Sequence, residues 1–79
     1  MSDDVVLPKF ETGKYLHAKT GHFYEVIGIA LHTETNEPLI VYRPLEDSAY
    51  ALYTRPYDMF VQLIEIDGEH VARFQKVDD

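Results

Sequence analysis

Apolar and polar positions along this chain fall into short blocks separated by glycine, proline and asparagine, a punctuation that predicts strands rather than long helices. Residues 14–18 (KYLHA) form a short aromatic-containing run closed by Lys19-Thr20-Gly21, a first strand and its turn. Residues 22–32 (HFYEVIGIALH) are the richest β segment. Their β-branched and aromatic side chains suit the pleat, and the lack of strict alternation predicts burial on both faces over part of the length. Gly28 in the middle of that run marks a bulge or bend, the device that curls a sheet. The polar stretch 33–38 (TETNEP) reverses the chain: Asn36 tolerates the left-handed conformation, and Pro38 has no N–H to offer a ladder. Residues 39–43 (LIVYR) supply the return strand up to Pro44. A loop over Leu45-Glu46-Asp47-Ser48 leads to a further strand, residues 49–55 (AYALYTR), which ends at Pro56.

Pro56-Tyr57-Asp58-Met59-Phe60 offers proline at a first helical position and an acid in the first turn, enough for one helical turn. Residues 61–66 and 69–74 then flank Asp67-Gly68, the two-residue signature of a type I′ hairpin. That turn fixes a register in which Leu63 faces Ala72, Val61 faces Phe74, Glu65 faces His70 and Ile64 faces Val71. Val61, Leu63, Ala72 and Phe74 are expected in the core. Residues 1–12 carry no repeating period and read as a flexible or docked tail, residues 76–79 as a flexible end, and residues 13–75 as the domain. The expected fold class is all-β: a small barrel of about five to six short strands with one short helical turn before the last hairpin. Closure also hides the long apolar edge that residues 22–31 would otherwise expose.

Composition narrows the function classes. A chain of 79 residues buries only about 60% of its unfolded surface and supports one core. With 14 acidic against 7 basic residues the net charge is −7, so phosphate-driven nucleic-acid binding is disfavoured, as is docking on anionic membranes. The absence of cysteine excludes disulfides and thiolate metal sites and fits a reducing compartment. No run approaches the roughly 18 apolar residues of a spanning helix, and the acidic start lacks a signal peptide's basic region. The expected location is cytoplasmic.

The order of blocks carries more information than their period. Gly13-Lys14-Tyr15-Leu16-His17, Tyr24-Glu25-Val26-Ile27-Gly28-Ile29-Ala30, the segment 32–43 (HTETNEPLIVYR), Arg55-Pro56-Tyr57-Asp58-Met59-Phe60, Asp67-Gly68 and Arg73-Phe74 together resemble the small bacterial family of unknown function DUF1653. The resemblance runs over residues 13–74. It departs at Leu31, where a basic residue is expected before the histidine, and at Tyr53, where tryptophan is expected before Arg-Pro. Tyrosine still supplies an aromatic face there. The resemblance implies an SH3-like barrel and brings no established activity or cofactor.

Arg43 and Arg55 each end a strand before a proline, with Tyr42 and Tyr53 close by. Guanidinium forks beside aromatic rings make a receptor for a carboxylate or phosphate. Tyr42, Arg43, Tyr53 and Arg55 are therefore the expected ligand-binding rim, with Tyr50 and Tyr57 beside it. The competing fate for each arginine is an internal ion pair with Glu34, Glu46 or Asp58, its stem packed on a tyrosine. His17, His32 and Glu34, with Glu37 nearby, are weak candidates for a metal site because no known ligand spacing matches. Catalysis has little footing: Ser2 and Ser48 lack an evident base, the glycines are isolated, and Glu65 with His70 reads as a cross-strand ion pair. The leading expectation is a binding module, without a cofactor, for an acidic or carboxylate-bearing ligand, peptide or protein. A small metal-assisted enzyme at a His/Glu site and a structural homodimer are the alternatives, with a monomer or weak homodimer as the expected assembly.

Overall fold

The computed structural model describes residues 9–46 and 48–77. The chain runs through β1 (Gly13–His17), β2 (Phe23–His32), β3 (Glu37–Pro44), β4 (Tyr53–Pro56), the single turn α1 (Tyr57–Phe60), β5 (Leu63–Ile66), β6 (Glu69–Ala72) and β7 (Phe74–Lys76). Five of these strands form one antiparallel sheet in the order β4-β3-β2-β1-β7, while β5 and β6 pair with each other. The expected all-β, barrel-like fold is borne out. Among the described residues no helix is long and apolar enough to cross a membrane.

Curvature follows from the packing. Arg55, on the β4 edge of the sheet, lies over the ring of Phe74, on the β7 edge, with its guanidinium carbon 5.5 Å from the centroid. Two opposite edges of a five-stranded sheet meet in this way only if the sheet rolls up. The bulge that Gly28 signalled is present: the register steps from Val26↔Tyr42 to Gly28↔Val41, leaving Ile27 as the extra residue. Inside the roll sits a core of Tyr15, Val26, Ile40, Tyr42, Phe60 and Phe74. Phe60 and Phe74 stack with centroids 4.0 Å apart, and the rings of Tyr15 and Tyr42 meet Phe60 edge-on at 5.9 and 5.3 Å. Aromatic bulk replaces number of residues in a domain this small.

The turns form as expected. Asn36 adopts φ 61° at the β2–β3 reversal, and Asp67 and Gly68 take φ 54° and 83° in the last hairpin. Residues 49–52 differ: they form a loop, and pairing with β3 starts only at Tyr42↔Tyr53. The Ser48 hydroxyl accepts from the Tyr50 N–H at 3.3 Å, a local bond of the kind that competes with a ladder.

Three of the four expected hairpin pairs form, Leu63↔Ala72, Ile64↔Val71 and Glu65↔His70; Val61 does not face Phe74, which pairs with His17 of β1 instead, and the core assignment of Val61 and Leu63 is overturned. They are 38% and 60% exposed. The reason is a bend at Arg73, whose N–H donates to the Gln62 carbonyl at 3.0 Å and whose carbonyl accepts from the Ala18 N–H at 2.8 Å. Phe74 thereby leaves the hairpin and enters the core from β7, so counting alternate residues back from it selects the wrong face. Glu65 and His70 stand opposite each other without forming an ion pair. Leu63→Ala is accordingly expected to change unfolding free energy by less than about 0.5 kcal/mol, against the 2–5 kcal/mol of a core leucine, in urea denaturation.

Residues just outside the expected 13–75 domain also pack against it. Lys76, expected in the flexible end, belongs to β7, and the Val77 N–H donates to the Lys14 carbonyl at 2.9 Å. The packed region begins before Gly13, because Phe10 stacks on Tyr15 at 5.4 Å and meets Phe60 edge-on at 5.4 Å. Residues 1–8 and 78–79 of the two expected tails lie outside the described residues.

Candidate functional site

Strand alternation places Arg55 where a core residue would stand. It pairs with the fully buried Ile40, two positions from the pair Tyr42↔Tyr53, so the side chains of Tyr42, Tyr53 and Arg55 share the inner face. The half-buried guanidinium lies on the Phe74 ring and donates from Nε to the Tyr42 hydroxyl at 3.3 Å. Both contacts hold it in place and leave the terminal nitrogens for a further acceptor. Tyr24 closes the side of this platform, its ring 5.4 Å from Tyr42, 6.4 Å from Tyr53 and 5.9 Å from Phe74. The Tyr53 and Ser48 hydroxyls are hydrogen-bonded to each other at its rim. Among the described residues no carboxylate lies within ion-pair distance of Arg55.

His17, at the end of β1, borders the same layer. It is buried, its ring edge-on to Phe74 at 4.7 Å, and its Nδ1 accepts from the Thr20 N–H at 3.3 Å. Burial depresses its pKa, and the positive fields of Arg55 and Arg73 depress it further. The Tyr24 hydroxyl moves up, first through burial and then through its tyrosine neighbours and Glu46. For His17 the linkage has a definite sign. The neutral imidazole favoured by the fold contributes stability that is fully present above the unfolded pKa of about 6.5 and is lost as pH falls through the lowered folded value. The urea midpoint is therefore expected to drop as pH falls below 6.5, and His17→Gln, which keeps an acceptor for Thr20, should flatten that part of the profile. An unchanged slope in the variant assigns the dependence elsewhere.

The family model described as "Protein of unknown function (DUF1653)" matches residues 13–76, from the first residue of β1 to the last of β7. The chain belongs to the DUF1653 family. Its fold is similar to the crystal structure of a DUF1653 protein from Bordetella bronchiseptica, with a TM-score of 0.79 and 30% identity over 86% of this chain and 87% of that one. No curated protein matches the chain. The DUF1653 family name carries no activity, so the functional reading of this domain rests on its side chains.

Of the expected binding rim, the DUF1653 sheet gathers Tyr42, Tyr53 and Arg55 and separates Arg43. Tyr42 is only 4% exposed and acts from beneath, as ring and hydroxyl acceptor for Arg55. Arg43 points to the outer face, because neighbours in a strand alternate, and its Nη2 and Nε reach Glu25 Oε1 at 2.6 and 2.7 Å. It takes the internal ion pair weighed for both arginines, with Glu25 as its partner. Of the flanking tyrosines, Tyr50 is exposed and Tyr57 packs against the core beside Phe10.

The metal candidates are not brought together. His17 lies beside the start of β2, and His32 ends that strand nine residues beyond Phe23, roughly 30 Å away at 3.3 Å per residue. The His32 Nδ1 is occupied by the Glu34 N–H at 3.2 Å. Among the described residues no group of three or more histidine and acidic side chains could hold a metal ion. Tyr24 is legible in the sequence, since Tyr24-x-Val26 alternates inward. Arg73 gave no signal, as its placement depends on the bend between β6 and β7.

Proposed function

We propose that this DUF1653 domain is a binding module that takes an acidic or carboxylate-bearing ligand, a peptide or protein segment foremost, against Arg55 on the inner face. The observation that carries this reading is a half-buried guanidinium without a carboxylate partner among the described residues, in a chain with 14 acidic and 7 basic residues. Internal partners are abundant, and Arg43 takes one; an arginine held over a ring, hydrogen-bonded to Tyr42 and without a carboxylate partner among the described residues is preorganised for an acceptor from outside. A carboxylate fits the terminal nitrogens bidentately, while Tyr24 and Tyr53 offer apolar faces and hydroxyls to the groups around it.

The net charge of −7 repels acidic ligands at long range, so the test belongs at physiological ionic strength, where screening acts over about 8 Å. Amide and Arg Nε resonances are followed while N-acetyl-tetraglutamate is added, with N-acetyl-tetraglutamine as the uncharged control. Saturable shifts at Tyr24, Tyr53 and Arg55 with the glutamate peptide alone are expected. Shifts centred on Arg43, or equal responses to both peptides, would sink the reading.

A further inference from the structure

The β5–β6 hairpin stands off the rolled sheet, and the space between them is divided into two clefts of unlike charge. One, of about 460 Å³, is lined in part by Ala18, Ile66, Val71 and the acids Asp67 and Glu69, and shares Ala18 and Ile66 with its neighbour. The other, of about 410 Å³, is lined by Ala18, Lys19, Ile64, Glu65, Ile66 and Arg73. Both volumes fall within the range of small-molecule sites, about 300–1,000 Å³. Only the second is cationic.

Arg73 is built into the wall of that cleft. Its backbone ties hairpin to sheet through Gln62 and Ala18, and its Nη2 donates to the Gln62 Oε1 at 2.8 Å. Its Nε is buried without a hydrogen-bond partner, and no carboxylate lies within ion-pair distance of the guanidinium among the described residues. A buried guanidinium nitrogen without a partner carries a desolvation cost that a nearby anion offsets. Lys19, which also lines this cleft, likewise forms no ion pair among the described residues. Against these two cations stands Glu65, so the cleft carries one net positive charge, which matches a monoanion better than a phosphate dianion. Ala18, Ile64 and Ile66 supply aliphatic walls.

We infer that the cleft between β5 and the end of β1 is a binding site for a small monocarboxylate with an aliphatic body, its carboxylate between Arg73 and Lys19 and its body against Ile64 and Ile66. This site does not depend on the Arg55 reading. Hexanoate is the probe, with 1-hexanol testing the need for charge and inorganic phosphate the need for an apolar body. Hexanoate is expected to give saturable shifts at Ala18, Lys19, Ile64 and Ile66 and at the Arg73 Nε–H, and the two controls none. Lys19→Gln, an exposed substitution without structural consequence, should weaken hexanoate about threefold, the range of a solvated charge. Arg73→Gln should abolish binding, with its thermal melt showing whether the hairpin still docks. Arg55→Gln should leave hexanoate affinity unchanged. The assignment is overturned if 1-hexanol or phosphate matches hexanoate, if hexanoate gives no saturable shift, or if Lys19→Gln binds it as tightly as the parent.

Discussion

Phe60→Ala is expected to remove at least about a third of this domain's folding free energy. Phe60 is 1% exposed and is the contact on which the aromatic core converges. It stacks on Phe74 at 4.0 Å and takes the rings of Tyr42, Phe10 and Tyr15 edge-on at 5.3, 5.4 and 5.9 Å. Truncating a buried phenylalanine costs about 3–5 kcal/mol, part lost transfer energy and part cavity. A chain of 79 residues, at roughly 0.05–0.15 kcal/mol per residue, has about 4–12 kcal/mol in all. The loss here falls toward the upper end of its range, because α1 is a single turn anchored by this one buried side chain and has no helix of its own to fall back on. Phe60→Leu keeps most of the volume and should cost about 1.5 kcal/mol or less. Urea denaturation followed by near- and far-UV circular dichroism separates the two. A loss under about 1 kcal/mol for Phe60→Ala would mean that the Phe60–Phe74 stack does not organise the core.

The parts of the fold that the sequence reveals are those set by local chemistry. Asp67-Gly68 dictates its turn and hence the pairing of Leu63 with Ala72, while Asn36 and Pro38 close the β2–β3 reversal. Pro56 precedes one helical turn, and Gly28 borders the bulge. What the pattern does not reveal are consequences of non-local pairing. The bend at Arg73 depends on Gln62 and Ala18, and it decides which face of the last hairpin looks inward. Phe10 belongs to the core although nothing around it has a period, because the rings it meets are gathered from β1 and α1.

The same distinction runs through the candidate site. Two Arg-Pro strand ends look equivalent in sequence, but the period of two in a strand separates each arginine from its preceding neighbour. Tyr42 goes in and Arg43 goes out, whereas Tyr53 and Arg55, two apart, go in together. Alternation alone therefore suffices to divide the four residues into a gathered trio and an outlier. Which side is the inner one required the rolled sheet, since it is Phe74 from the far edge that turns the Arg55 position into a platform.

Arg55 should consequently reveal itself by opposite effects on binding and on stability. Arg55→Gln is expected to weaken N-acetyl-tetraglutamate about 10- to 100-fold, the loss of charge-assisted hydrogen bonds from a preorganised fork. Arg43→Gln breaks only an exposed ion pair on the outer face and should change neither affinity nor, beyond about 0.5 kcal/mol, stability. Stability at Arg55 takes the opposite direction only if its hydrogen-bond partner is removed with it. Arg55→Met alone leaves the buried Tyr42 hydroxyl without its donor, at about 1–3 kcal/mol. Arg55→Met with Tyr42→Phe removes both members, replaces a half-buried, uncompensated charge by an apolar chain over Phe74, and should be as stable as the parent or more so. A double variant that folds at least as well and no longer binds identifies Arg55 as a residue kept for its ligand. A double variant destabilised by more than about 2 kcal/mol would make the guanidinium a structural element of the roll, and the inner face would lose its claim as a binding surface.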